Sequence, residues 1–209
     1  MAVNLKHITK NDRQQVYPPS QDTFLLIDSV VSDLSYIQQI DPCFVIEIGV
    51  GSGAVLTTLA MNQSFQSVFI GVDINPKATL LAKSTLELNN CKNYDIVNGD
   101  IFRQKGFFNK IDVIICNPPY VITSKEEFEE CQKRKDISSS FAGGEDGREF
   151  IDKLFDFAYK ALSDKGVMYM LFEEHNGSFP GKVLSEQRVG CEGLAVIRMG
   201  KEQIREALG

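Results

Sequence analysis

The 209-residue sequence is poor in the side chains that metal and imidazole chemistry need. It has two histidines, His7 and His175, far apart along the chain. Its five cysteines, Cys43, Cys91, Cys116, Cys131 and Cys191, are odd in number and widely spaced, with no C-x-x-C. That pattern speaks against a disulfide framework and against a metal site in this chain. The N-terminus has no apolar signal run, and no stretch is long enough to cross a bilayer. The expectation is a reducing, soluble compartment, the cytoplasm with a nuclear pool, and no membrane partner. Basic charge is scarce too. A net charge of −6 and a pI near 5.0 describe a surface that does not draw nucleic acid, because phosphate binding needs clustered Lys and Arg. No internal repeat or domain linker is visible.

What remains is an ordinary globular composition, 43% apolar and 24% charged, with enough apolar residues for a sizeable core in one domain over 1–209. The chain is organised around Asn117-Pro118-Pro119-Tyr120. This tetrapeptide follows the apolar run Ile111 to Cys116, which reads as a buried strand. The prolines remove two backbone N–H donors, so the loop offers mainly acceptors: the Asn117 side-chain oxygen and free carbonyls, that of Pro118 among them. Such a site suits a planar NH2 group. Two acceptors that grip its hydrogens turn the delocalised lone pair towards an electrophile, by positioning and electrostatic preorganisation. Taken alone, the tetrapeptide reads equally well as a turn.

The rest of the chain adds a ligand site. Residues 1–16 are polar and form a loosely held lead-in. Tyr17-Pro18-Pro19-Ser20 is extended. Ser20 or Asp22 then caps a helix with Phe24, Leu25, Ile27, Val30 and Leu34 on one apolar face. Cys43 to Ile48 is a strand carrying one acid, Glu47. It runs into Gly49-Val50-Gly51-Ser52-Gly53 and a helix over 54–60. Strand, glycine loop and helix form a nucleotide-type site, and Gly49-x-Gly51-x-x-Ala54 also fits the dinucleotide fingerprint. Two features pull the site away from a pyrophosphate. Glu47 favours a cationic ligand group, and Gly53 opens room for a sulfonium-bearing amino-acid tail. Strand Val68–Asp73 ends in an acid about twenty residues past the glycine loop, where a carboxylate accepts from ribose hydroxyls; helix capping is the alternative. Asn75 caps and Pro76 opens the next helix, to about Asn89. A short strand, Tyr94–Val97, leads to Asp100, which suits an adenine amino group, with Ile101 or Phe102 packing on the ring; a surface acid in a turn is the alternative.

Residues 121–147, with an acidic cluster, a basic cluster and Gly143-Gly144-Glu145-Asp146-Gly147, read as a long substrate-facing insertion outside the core. A helix over 148–162, a strand over 167–172 and a hairpin of 182–190 with 194–199 follow, and the polar tail forms a final helical turn.

The order strand, Gly-x-Gly-x-Gly, two acid-ended strands and Asn-Pro-Pro-Tyr resembles the class I S-adenosylmethionine-dependent methyltransferases that act on planar NH2 groups. Tyr17-Pro18-Pro19-Ser20-Gln21-Asp22-Thr23-Phe24 and Ala142-Gly143-Gly144-Glu145-Asp146-Gly147-Arg148 resemble signatures of the eukaryotic and archaeal relatives of the HemK/PrmC glutamine methyltransferases. Over residues 16–175 the resemblance implies an α/β, Rossmann-like fold: a mostly parallel seven-stranded sheet with helices on both faces and a C-terminal antiparallel hairpin. It implies methyl transfer from S-adenosylmethionine, leaving S-adenosylhomocysteine, to the glutamine of the Gly-Gly-Gln loop of a eukaryotic-type translation release factor. By position, Glu47, Gly49, Gly51 and Gly53 hold the methionine part, Asp73 the ribose and Asp100 with Ile101 the adenine, while Thr23 touches the cofactor or caps beside it. Asn117 and the Pro118 carbonyl hold the substrate amide, Pro119 stiffens the loop and Tyr120 packs on the amide. Two departures stand out: Gln21, where relatives often carry an acid, and a short segment after Glu174. The family also implies a small zinc-binding activator protein as heterodimer partner, for which the edge strand Tyr94–Val97 is available by strand addition. The alternatives are an adenine amino-group methyltransferase on DNA or RNA, a protein lysine methyltransferase, and, least favoured, a cofactor-binding scaffold without turnover.

Overall fold

The computed structural model describes residues 1–104 and 106–209. A seven-stranded sheet forms its centre. Its strands are β1 (Phe44–Ile48), β2 (Val68–Asp73), β3 (Tyr94–Asn98), β4 (Ile111–Cys116), β7 (Leu162–Glu173), β8 (Lys182–Val189) and β9 (Glu192–Gly200). Their order is β3-β2-β1-β4-β7-β9-β8. The first five run parallel, and the β8–β9 hairpin joins β7 antiparallel.

The parallel strands are continuous apolar runs because both faces are covered. Side chains alternate between them. Val45, Val113 and Ile115 enter one core, with α2 (Gln21–Ser32), α4 (Ala54–Asn62) and α5 (Pro76–Leu88). Ile46, Ile48 and Ile114 enter the other, with α7 (Glu149–Ala161) and α8 (Lys201–Leu208). The one acid inside β4, Asp112, is buried and occupied: it accepts from the backbone N–H of Cys43 (2.8 Å) and from the Ser163 hydroxyl (2.6 Å). Under the hairpin, Asp33 accepts from Arg198 (2.6 Å) and from the Tyr169 hydroxyl (2.8 Å), and the Tyr36 ring lies against the guanidinium.

Several expectations need correction. The lead-in is packed rather than loose. It contains a short helix α1 (Asp12–Gln15), Asn4 bonds Asn89, and Val16 is buried. Its few apolar residues, Val3, Leu5 and Ile8, meet apolar surface already present. Ser20 holds the N-cap position of α2, its N–H donating to the Thr23 hydroxyl (3.3 Å), while the Asp22 carboxylate accepts from the Thr23 N–H (2.6 Å). Phe24 is on the exposed side of that helix, and Leu34 begins a separate helix, α3 (Leu34–Ile40). Leu162 opens β7 instead of closing α7, opposite Ile111. The tail is a full helix, α8, anchored by the fully buried Ile204.

Residues 121–147 form a small subassembly. β5 (Val121–Ile122) pairs with β6 (Ala142–Gly144), and α6 (Lys125–Arg134) packs over them through Phe128 and Cys131. Ser124 caps α6, with Glu126 and Glu127 in its first turn and Lys133 and Arg134 in its last, an arrangement that opposes the helix dipole. The acidic and basic clusters are thus the two ends of one helix.

Candidate active site

Strand register brings the site together. Ile48 on β1 is level with both Val72 on β2 and Cys116 on β4. The next residues, Gly49, Asp73 and Asn117, therefore leave the sheet side by side. Asp73 is itself level with Asn98, so Asp100 follows close by. The chain crosses to β2 and β3 on one side of β1 and to β4 on the other. Such a switch point is where open α/β sheets bind ligands.

A cavity of about 830 Å3 opens there, of a size that holds a nucleoside-type ligand together with a substrate side chain. Thr23, Glu47, Gly49, Gly51, Asp73, Asp100, Ile101, Asn117, Pro118, Pro119 and Tyr120 all line it. Gly53 does not. A Cβ on Gly53 would lie 2.9 Å from Ala82 Cα on α5, and its φ is +77°. This glycine gives α5 its close approach rather than giving a ligand room. By contrast, nothing lies within 4 Å of where a Gly49 Cβ would be, so the loop's backbone is open to the cavity.

The acids are held by the backbone. Asp73 accepts from the N–H groups of Gly51 and Asn75, both at 2.9 Å. Burial raises its pKa against the lowering effect of those bonds. Glu47 is fully buried, accepts from Leu56 N–H at the start of α4 (2.8 Å), and is raised well above the carboxylate range by desolvation. One Glu47 oxygen thus serves the helix end. Asp100 caps a 3-10 turn over 101–103 and pairs with Arg103. An open glycine backbone beside the carboxylates of Glu47 and Asp73 fits a ligand bearing a cationic group and vicinal hydroxyls.

At the substrate end, the Asn117 amide donates through Nδ2 to Asp22 Oδ2 (2.9 Å). Its Oδ1 is shielded from solvent and has no partner. Gln132 of α6 also lines the cavity and has an unpartnered Nε2. Tyr17 donates to Asp22 (3.1 Å), and its hydroxyl pKa is pushed up to about 12 by burial and by that carboxylate. Tyr120 is pushed up as well, by burial first and then by Asp22.

Behind the loop, the buried Asn176 donates to the Tyr120 carbonyl (3.1 Å) and accepts from Glu173 N–H (3.1 Å). Gly147 passes so close that a Cβ there would overlap both the Tyr120 oxygen and the Asn176 amide. A Cβ on Gly143 would be 2.9 Å from the Tyr120 carbonyl carbon. The glycines of Ala142 to Arg148 are thus a backbone-on-backbone support for the Asn-Pro-Pro-Tyr loop. Sequence reasoning missed Asp22 as a partner of Asn117, and Asn176 altogether. The only signal for Asp22 was its place in the Tyr-Pro-Pro-Ser-Gln-Asp-Thr run.

This strand order and this set of residues at the carboxyl edge define a Rossmann-like class I methyltransferase. Residues 32–133 match the family described as Methyltransferase small domain. The chain is 32% identical to "Methyltransferase HEMK2" of Mus musculus, over 93% of this chain and 94% of that one. It is 34% identical to "eRF1 methyltransferase catalytic subunit mtq2" of Schizosaccharomyces pombe, over 89% of each. It is also 34% identical to "Putative protein N5-glutamine methyltransferase MJ0928" of Methanocaldococcus jannaschii, over 82% of this chain and 79% of that one. The chain belongs to the HEMK2 family of methyltransferases.

Proposed function

We propose that this chain methylates the side-chain amide nitrogen of the glutamine in the Gly-Gly-Gln loop of a eukaryotic-type release factor. The observation that carries this reading is the Asn117 Oδ1, buried, unpartnered and beside the donor-free Pro118. A buried acceptor without a partner costs about 1–3 kcal/mol, and a substrate NH2 removes that cost on binding. The names of the relatives, an eRF1 methyltransferase and a protein N5-glutamine methyltransferase, support the substrate.

S-adenosylmethionine, when bound, supplies an electrophilic methyl group on a sulfonium. The residues present fit it: the open backbone of Gly49 and Gly51 with Glu47 for the amino-acid part, Asp73 for the ribose, and Asp100 with Ile101 for the base. Thr23, whose hydroxyl accepts from the Ser20 N–H at the start of α2, borders the same space. Asn117 Oδ1 and the Pro118 carbonyl accept the two hydrogens of the substrate amide and free its lone pair. Pro119 stiffens the loop and Tyr120 packs on the amide plane. The reaction is direct displacement, with no covalent enzyme intermediate, and the surplus proton leaves to water. Residues 1–209 act as one methyltransferase domain, in which 121–147 faces the substrate.

The same reading includes a small zinc-binding activator as heterodimer partner. β3 is an edge strand, and Val97 on it is an exposed apolar residue. An unpaired edge with apolar side chains accepts an added strand. Retention of the activator through co-purification by Ile96→Pro would refute the edge pairing.

The test of function uses labelled S-adenosylmethionine with this chain, alone and with the activator. The release factor and an adenine-containing DNA/RNA pool are both offered, and mass spectrometry locates the methyl group. Label on the Gly-Gly-Gln glutamine, lost in Asn117→Ala with cofactor binding kept, is the expected result. Label on adenine alone would overturn the substrate class.

A further inference from the structure

The Asn117 amide can face the substrate with its oxygen or, after a half-turn about its last side-chain bond, with its NH2. The two orientations have nearly the same shape, and only the first accepts from a substrate NH2. The neighbour behind the amide decides between them. Asp22 Oδ2 lies 2.9 Å from Asn117 Nδ2, and a carboxylate oxygen only accepts. It therefore takes the NH2 end and turns Oδ1 into the cavity. Asp22 is itself held. Tyr17 donates to the same oxygen at 3.1 Å, and the other oxygen accepts from the Thr23 N–H at 2.6 Å and the Thr23 hydroxyl at 3.3 Å. Asp22 is buried at the start of α2, where the helix N-terminus favours a negative charge.

We infer that Asp22 is the positioning residue for catalysis: it locks the Asn117 amide in the accepting orientation and sets a negative charge behind the substrate nitrogen. The charge matters because that nitrogen gains positive charge as it takes up the methyl group. A carboxylate one amide away polarises Asn117 Oδ1 through a chain of hydrogen bonds, and such chains strengthen one another in a low-dielectric site. The effect is larger in the transition state than in the bound substrate, so it appears in the turnover number. Tyr17 shares the oxygen and keeps the carboxylate from rotating away. The Tyr-Pro-Pro-Ser-Gln-Asp-Thr run thereby gains a chemical purpose beyond opening a helix.

This inference rests on reading the site as an NH2 methyltransferase, and one readout is independent of that reading. Asp22→Leu removes the acceptor. Asp22→Asn keeps the shape and one acceptor oxygen but drops the charge, and serves if the leucine variant does not fold. In 15N-labelled protein, the Asn117 side-chain amide is identified by its absence in Asn117→Ala. The expected result is a downfield, slowly exchanging N–H pair in the parent, shifting upfield with exchange at least about tenfold faster in Asp22→Leu. A hydrogen bond to a charged group corresponds to one to two orders of magnitude. Turnover should accordingly fall by about 10- to 100-fold in Asp22→Leu and by less in Asp22→Asn, with cofactor Kd unchanged within about threefold. Unchanged Asn117 signals would overturn the lock, whatever the substrate proves to be. A rise in cofactor Kd matching the loss of turnover would overturn it too, by making Asp22 a cofactor contact. If the parent labels no glutamine but the Asn117 signals move as described, the lock stands and the substrate reading falls.

Discussion

Gly147→Ala tests whether the loop of Gly143 to Gly147 holds the catalytic loop in place. Gly147 has φ +66°, and an added Cβ would overlap the Tyr120 carbonyl oxygen and the Asn176 amide. Alanine in the left-handed region costs about 1–2 kcal/mol. The overlap adds about 1–3 kcal/mol, as for overpacked cores, because neither neighbour can yield freely: one is backbone and the other is a buried, doubly bonded side chain. Together this is about 2–5 kcal/mol. If the fold absorbs it, the melting temperature falls by about 4–20 °C, at roughly 2–4 °C per kcal/mol for a chain of this size. If the Tyr120 peptide moves aside instead, Asn117 and Pro118 shift with it, and a displacement near 1 Å costs about a hundredfold in rate. Thermal unfolding and methyl-transfer assays on one preparation separate the two routes. Cofactor affinity should change little, since Gly147 is absent from the cavity wall. A variant that melts within 2 °C (roughly the effect of under 1 kcal/mol) and turns over within about threefold of the parent would refute the reasoning.

Three further outcomes follow from the same physical accounting. Asp33→Ala leaves Arg198 and Tyr169 without their shared acceptor and should cost about 3–5 kcal/mol, read by denaturant unfolding; a loss under about 1 kcal/mol, as for a surface pair, would mean the network is solvated. Ile204→Ala empties the one fully buried position of α8 and should cost about 2–5 kcal/mol, with amide exchange of residues 201–208 quickened; unchanged exchange there would show that the helix is held by something else. Asp73 and Glu47 have native pKa values above their unfolded ones, so their contribution to stability is complete at low pH and is lost as pH rises through the native values. A cationic ligand with hydroxyl donors favours their ionised forms, so cofactor binding should release protons and tighten as pH rises from the ordinary carboxylate range, about 4, up through the raised native values; a binding enthalpy equal in buffers of different ionisation enthalpy, with affinity flat over that whole interval, would contradict this.

Strands β2 and β4 were legible to the residue, because a parallel strand buried on both faces is an unbroken apolar run that ends at the site. The placement of Asp73 and Asn117 at those ends, on the cavity wall, was legible for the same reason. The 121–147 segment was read as an insertion outside the core, but not as a folded unit. Strands of two and three residues rich in glycine carry no periodicity, and a charged helix anchored by Phe128 and Cys131 shows only a faint apolar stripe. Helix α8 has a single buried residue, too few to set a period. Gly53 was assigned to the wrong neighbour. Its spacing in the glycine loop is the same whether it makes room for a ligand or for a helix, and only the position of Ala82 distinguishes them. The contact of Asp22 with Asn117 joins residues 95 apart in sequence, and no local pattern encodes such a pair.

The cavity wall draws on residues from Val16 to Glu192, and its floor is the ends of strands whose order differs from their sequence order. A ligand seated there is therefore bound by the assembled sheet and by no part of it, so its binding energy adds to the free energy of global unfolding. At one hundred times its Kd a single ligand adds about 2.7 kcal/mol, a large share of the stability of a typical domain. Proteolysis and aggregation act through the unfolded population, which that increment reduces by about a hundredfold. The concentration of cofactor relative to its Kd therefore bears on how often this protein unfolds as well as on how fast it works.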